Sequence, residues 1–262
     1  MHTAAFRALR LDALYAPFDA PPRYLKPMVE ALVLSGVEGL NVTVPHKEAV
    51  LPLMDRLDAT ANAVGAVNTI VVRNRRLIGY NTDGIGFRRA LQELGWRRRP
   101  QLAIVLGAGG AARAVAWELA QVPGMRLVIG NRTNARARHL ARWIASKRRG
   151  VRVASAPIAR LPLEAADLLV NATTIGMQAG QKPLVDARRL PAQALVYDLV
   201  YNRRTALLDA ARRRGCIASD GLSMLLYQGA EAFRLWLHRA PPVDVMRTAL
   251  TRALHTSTHS RS

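Results

Sequence analysis

Residues 102–112 read Leu102-Ala103-Ile104-Val105-Leu106-Gly107-Ala108-Gly109-Gly110-Ala111-Ala112, five apolar positions running straight into G-x-G-x-x-A. An unbroken apolar run of that length marks a strand buried on both faces. The glycines that follow suit a dinucleotide turn: Gly107 permits the sharp bend, Gly109 lets the backbone approach a pyrophosphate, and Ala112 keeps helix and strand close. A helical pattern over 111–121 then places free N–H groups and positive potential at the turn. Gly107, Ala108, Gly109, Gly110 and Ala111 are therefore candidate contacts for a dinucleotide.

The next strand, 126–129, decides which dinucleotide. A site for NAD carries an acidic side chain about 20 residues beyond the glycines, bonded to the ribose. Here the strand ends at Gly130 and delivers Asn131-Arg132-Thr133, with Arg136 on the helix predicted over 134–147. No carboxylate repels a 2′-phosphate, and a guanidinium with a hydroxyl binds one. NADP is the expected cofactor, although Asn131 and Thr133 also suit a helix cap. Further apolar strands at 167–170 and 195–199, alternating with helices, predict a parallel sheet covered on both faces.

Upstream the texture differs. Residues 4–11 read as a helix end, 13–18 as a short strand, 26–35 as a helix, 39–44 as a strand stopped by Pro45, and 47–53 as a helix. Residues 67–72 and 76–80 read as a hairpin turning at 73–75, followed by a helix at 85–94 and a junction at 97–100. Helices at 223–237 and 243–254 close the chain and return to the first domain, before a polar tail at 255–262 that is expected to fray. The predicted fold is α/β with two domains flanking a cleft. Residues 1–96, completed by 223–262, form an N-terminal α/β substrate domain, and 97–222 form a Rossmann-type nucleotide domain.

Composition narrows the functional classes. The chain has 262 residues, half of them hydrophobic, and a formal net charge of +20. No apolar run is long enough to span a bilayer, and the first twenty residues carry no signal-peptide pattern. The single Cys216 fits a reducing cytoplasm. The basic residues are scattered, with short runs at 97–99, 147–149 and 212–214 placed at expected helix ends where cations suit the dipole. That pattern is a solvated basic surface, not a nucleic-acid stripe. No histidine or cysteine spacing points to a metal. Met177 and the four tryptophans read as packing.

Three polar clusters lie in the first domain: Asn41-Val42-Thr43-Val44-Pro45-His46-Lys47, Gly65-Ala66-Val67-Asn68-Thr69 and Asn81-Thr82-Asp83-Gly84. Alternation along the first strand puts Asn41 and Thr43 on one face. Amides and hydroxyls suit a polyol, and a Lys47–Asp83 pair can handle the proton that accompanies hydride transfer at a secondary alcohol. Only Lys26, Lys47, Lys147 and Lys182 interrupt an otherwise all-arginine set of cations. A lysine at 47 therefore suggests a cation that must release its proton, which arginine cannot do. Gln228 interrupts the apolar stripe of Met224, Leu225, Ala232 and Leu235. Tyr201 follows a strand's carboxyl end, where α/β sheets bind ligands.

In order and spacing, N-V-T-x-P-x-K, G-A-V-N-T, N-T-D-G-x-G, G-A-G-G-A and N-R-T resemble the shikimate dehydrogenase family. So do Asn171-Ala172-Thr173-Thr174-x-Gly-Met177, Asp198-Leu-Val-Tyr201-Asn202 and Gly221-Leu-Ser-Met-Leu-x-x-Gln228-Gly-Ala. The likeness runs from about residue 2 to 252. It implies reversible reduction of 3-dehydroshikimate to shikimate with NADPH, in the cytoplasm, by a monomer or homodimer with no membrane or nucleic-acid partner. It makes Lys47 the acid/base residue and Asp83 its partner, sets Thr43, Asn68, Tyr201 and Gln228 around the substrate, and brings Leu199 and Gly221 to the nicotinamide. Two departures stand out. Family members begin with a strand and G-x-P-x-x-H-S-x-S-P, whose serines hold the substrate carboxylate, whereas Met1-His2-Thr3-Ala4-Ala5-Phe6 resembles only the end of that segment. After Tyr201-Asn202 the family's proline is missing and the loop is one residue shorter. The alternatives are a quinate/shikimate dehydrogenase using NAD, and a relative that binds NADP but is impaired because the first strand and serine loop are missing.

Overall fold

The computed structural model describes residues 1–96 and 101–259, with side chains to residue 254. The basic run at 97–99, the junction at 97–100 and the last three residues of the tail lie outside the described residues. The chain divides into two compact units, Met1–Arg89 with Met224–Ser262, and Ala90–Ser223. This division falls inside a helix, a few residues before the boundary expected at 96.

The first unit contains α1 (His2–Ala8), α2 (Leu25–Leu34), β1 (Gly39–Asn41), β2 (Arg56–Leu57), α3 (Ala59–Val64), β3 (Thr69–Arg73), β4 (Arg76–Tyr80) and the start of α4 (Asp83–Glu93). Its sheet has the order β1-β3-β4-β2, with β1, β3 and β4 antiparallel and β2 parallel to β4. The hairpin closes at Arg73 opposite Arg76. Asn74 and Arg75 between them have φ of 51° and 62°, the paired left-handed turn whose twist matches the strands. Asp58 caps α3 by accepting from the Ala61 N–H, and Gly65, at φ 67°, ends that helix left-handed.

Alternation along β3 sends successive residues into different cores. Ile70 packs with Val29, Val50 and Val67, whereas Val71 packs with Ala232 and Trp236. Trp236 belongs to α8 (Leu222–Leu237), and its indole N–H donates to Ile70 O at 2.9 Å. A Cβ on Gly39 would lie 2.2 Å from the same indole nitrogen, so β1 passes under the ring only as glycine. Phe6 of α1, Phe233 of α8 and Met246 of α9 (Val243–His259) share a third core.

Four expectations for this unit change. Residues 13–18 form no strand: Leu14 and Phe18 are 83% and 59% exposed, and an apolar segment without a ladder partner has nothing to pair with. The strand at 39–44 ends at Asn41. Residues 47–53 form turns and a short 3-10 turn at Leu51–Leu53 instead of an α-helix, since Pro45 and Pro52 bracket too short a stretch. The tail, in contrast, stays helical to His259.

The second unit alternates β5 (Leu102–Leu106), α5 (Gly110–Ala120), β6 (Arg126–Gly130), α6 (Asn134–Lys147), β7 (Arg152–Ala156), β8 (Leu168–Asn171), β9 (Leu195–Asp198), α7 (Ala206–Arg213) and β10 (Ile217–Asp220). All its strand pairs are parallel, in the order β10-β9-β8-β5-β6-β7. Numbered within the unit this is 6-5-4-1-2-3, the doubly wound dinucleotide topology, whose order reverses between β5 and β8. Every residue of β5, β8 and β9 is buried.

Candidate active site

In the first unit the residues of three polar clusters meet. Lys47 sits in the turn after β1, its carbonyl accepting from Val67 N at 2.8 Å. Its ammonium donates to Asp83 Oδ2 at 2.6 Å, with the two side chains 13% and 5% exposed. Asp83 opens α4, where the helix N-terminus favours a carboxylate. Its backbone N–H is held by Asn81 Oδ1 at 3.1 Å, and Asn81 is anchored in turn to Ala66 O.

Asn68, nearly fully buried, is the hub. Its Nδ2 reaches Asp83 Oδ1 at 2.9 Å, Thr82 Oγ1 at 2.9 Å and Gln228 Oε1 at 3.2 Å. Two N–H groups face three acceptors, so the amide shares its protons among them. Asn68 Oδ1 accepts from the Thr82 N–H at 2.7 Å, which fixes which way the amide points. Gln228 is anchored by donating from Nε2 to Leu225 O at 2.9 Å within its own helix. Four expected residues, Lys47, Asp83, Asn68 and Gln228, thus come together. Thr43 does not join them: it lies beyond the end of β1 and is exposed, so strand alternation no longer fixes its side chain.

Around this group lie hydroxyls and amides whose individual parts were not read from sequence. Thr69 and Thr82, both buried, lie 3.2 Å apart, and each reaches Asn68 Oδ1 at 3.2 Å. Asn41 Nδ2 lies 3.4 Å from Thr69 Oγ1, and Tyr15 donates to Asn41 Oδ1 at 3.0 Å. Thr69 lies in a strand with four successive buried residues. A hydroxyl in such a strand must find a partner, which is the signal that marks it.

In the second unit, the turn after β5 fits a dinucleotide. Gly107 has φ 116°, and a Cβ there would meet Ala172 O at 2.7 Å, so the β5 and β8 turns touch through a bare backbone. A Cβ on Gly109 would meet nothing within 4 Å, and no side chain caps α5. Open space therefore lies before free N–H groups, as a pyrophosphate requires. Ala108 is buried, whereas Gly110 and Ala111 are partly exposed on the first turn. At the end of β6, Asn131 donates to Thr133 O at 3.0 Å, and Arg132 and Arg136 are exposed. Thr133 is the N-cap of α6, but its hydroxyl makes no capping bond. It remains available alongside Arg132, a pairing suited to a 2′-phosphate.

Gly221 packs on Leu199: a Cβ there would lie 2.3 Å from Leu199 O. Tyr201 is exposed beyond β9, and Met177 is 41% exposed, so it is not a packing residue. Beneath these positions lies a buried network absent from the sequence reading. Asp198 accepts from Asn171 Nδ2 at 2.8 Å, Thr205 Oγ1 at 2.7 Å and Val200 N at 3.1 Å, tying the ends of β8 and β9 to the cap of α7. Burial holds the Asp198 carboxyl above its ordinary value, and these three donors offset only part of the rise.

Residues 1–70 match the family model of the shikimate dehydrogenase substrate binding domain, and 221–251 match that of the shikimate 5'-dehydrogenase C-terminal domain. A shikimate dehydrogenase (NADP(+)) of Symbiobacterium thermophilum is 48% identical, over 97% of this chain and 89% of that protein. A crystal structure of a shikimate dehydrogenase in complex with NADP+ superposes with a TM-score of 0.89 at 40% identity, over 97% of this chain and 89% of the other. The Thermus thermophilus shikimate 5-dehydrogenase, in complex with NADP(H) and shikimate, gives 0.85 at 37% identity, over 96% and 92%. With its two-unit α/β fold, its glycine turn and its similarity along nearly the whole chain, the protein belongs to the shikimate dehydrogenase family.

Proposed function

We propose that this chain catalyses the reversible reduction of 3-dehydroshikimate to shikimate with NADPH. Residues 1–96 and 223–262 hold the substrate and 97–222 the nucleotide. The observation that carries the reading is the Lys47–Asp83 pair braced by Asn68 beside Gln228, in a chain so similar to NADP-dependent shikimate dehydrogenases.

When bound, NADPH supplies the hydride. The Gly107–Ala111 turn would hold the pyrophosphate, Asn131, Arg132, Thr133 and Arg136 would hold the ribose and its 2′-phosphate, and Leu199 and Gly221 would border the nicotinamide. Lys47 gives a proton to the carbonyl oxygen as it becomes a hydroxyl, and takes it back in the oxidation. Asp83 holds that ammonium in place, and Asn68 satisfies the other carboxylate oxygen. Thr43 and Gln228 supply hydroxyl and amide contacts to the ring substituents. Among the described residues no helix is long and apolar enough to cross a membrane. The enzyme acts in the cytoplasm, as a monomer or homodimer, on a small-molecule substrate.

The test is a spectrophotometric assay of the purified protein with 3-dehydroshikimate and each nicotinamide cofactor. NADPH consumption well above that of NADH is the expected result. Equal rates would point to the NAD-using quinate/shikimate alternative, and NADPH binding without turnover to an impaired relative.

A further inference from the structure

Asp83 begins α4, and one turn further along the same helix is Gly86. A Cβ built on Gly86 would lie 2.8 Å from each of three atoms of α8: Gln228 Cβ, Gln228 N and Met224 O. Two of these are backbone atoms, so no rotamer change makes room for it. The two helices thus cross with backbone against backbone at the turn that carries Gln228. Gly86 has no left-handed φ to explain it. Inside a helix glycine is the poorer former, and alanine would be preferred on local grounds. The crossing itself is what excludes a side chain.

The same crossing fixes a contact in the polar site. Asn68 Nδ2 reaches Asp83 Oδ1, at the start of α4, and Gln228 Oε1, on α8. The Gln228 amide is already turned by its bond to Leu225 O. Whether its carbonyl meets Asn68 therefore depends on how closely α8 approaches α4.

We propose that Gly86 is a positioning residue: by admitting α8 to contact with α4 it sets the Gln228 amide against the Asn68–Asp83 pair, and so fixes the grip on the substrate ring. This rests on the reading above, in which Gln228 binds the substrate.

The experiment compares the wild type with Gly86→Ala, Gln228→Leu and the double variant. It measures shikimate KM and kcat with NADP, shikimate affinity by calorimetry, NADPH affinity by fluorescence titration, and thermal unfolding. Gly86→Ala is expected to raise the KM at least about tenfold, and to weaken shikimate binding to match, with kcat changed less than about threefold and NADPH affinity unchanged. Gln228→Leu should do the same, and the double variant should be no worse than the more affected single one, because both changes remove one interaction. An unchanged KM in Gly86→Ala, multiplying effects in the double variant, or an equal loss of NADPH affinity would overturn the proposal. So would an ordinary KM in Gln228→Leu, which is readable whatever Gly86→Ala does. A Gly86→Ala chain that does not fold makes the contact purely structural and overturns it too. A wild type that turns over no shikimate removes the functional reading itself, an outcome distinct from an active wild type with an indifferent Gly86.

Discussion

Lys47 and Asp83 stand 36 residues apart in sequence, yet the ammonium lies 2.6 Å from a carboxylate oxygen, with both side chains largely buried. One comes from a turn after a strand and the other from the first turn of a helix, so nothing local brings them together. The contact depends on the sheet between them. Asn68 then satisfies the second oxygen of Asp83.

Lys47→Ala should lower turnover at least about a hundredfold, the low end of what acid–base catalysis contributes, while NADPH affinity stays within about twofold. Lys47→Arg should not rescue it, since a guanidinium keeps its proton. Single-turnover kinetics measure the first, and a fluorescence titration with NADPH the second.

On the proposed reading, Arg132 selects the nucleotide. NADPH should bind at least about tenfold more tightly than NADH, and Arg132→Ala should cost NADPH about 1.5–3 kcal/mol, the value of a charge-assisted bond, while leaving NADH unchanged. Parallel calorimetric titrations of the two cofactors give the answer. A variant that weakened both alike would place Arg132 elsewhere than the 2′-phosphate.

Thr82→Val keeps the shape of a buried side chain and removes a hydroxyl shared by Asn68 and Thr69. Leaving those partners short of a hydrogen bond should cost about 1–3 kcal/mol of stability, read from urea unfolding. The accompanying loss of activity should be smaller than for Asn68→Ala, which also strips Asp83 of a donor.

His2 gives the protein an acid-sensitive element. Its ring is buried against Tyr15 and Trp236, with neither nitrogen hydrogen-bonded, and burial holds its pKa down at about 4. Its folded value lies below the ordinary 6.5, so the unfolded chain binds more protons between the two. The stabilising contribution is complete above pH 6.5 and is lost as the pH falls towards 4. His2→Met should flatten the fall in unfolding free energy over that range by about 2–3 kcal/mol, at about 1.4 per pH unit. Identical slopes for the two proteins would show that the ring stays uncharged at no cost.

Much of the nucleotide unit was legible because its central strands are buried on both faces. β5, β8 and β9 contain only buried residues and therefore read as apolar runs. The edge strands did not. β7, Arg152–Ala156, and β10, Ile217–Asp220, are half exposed, and their mixed sequences carry no run to detect. In the other unit, residues 13–18 are apolar without being buried, and composition alone cannot separate those cases. The polar site was legible in two ways: Gln228 interrupts an apolar helical stripe, and Asn68 and Asp83 stand in polar clusters with no local structural purpose. Asp198 escaped because an aspartate at a strand end reads as a turn residue. Only tertiary packing shows that it is enclosed by Asn171, Thr205 and the Val200 N–H.

The scarcity of lysine has a practical consequence. Lys26, Lys147 and Lys182 are exposed, whereas Lys47 is largely shielded and bonded to Asp83. An amine-selective acylating reagent therefore meets three fast lysines and one slow one, on a surface whose arginines are inert to it. In a mass spectrum of tryptic fragments, the labelling rate of that one slow amine becomes a probe of the active site, and ligands that cover it should slow the label further without changing the other three.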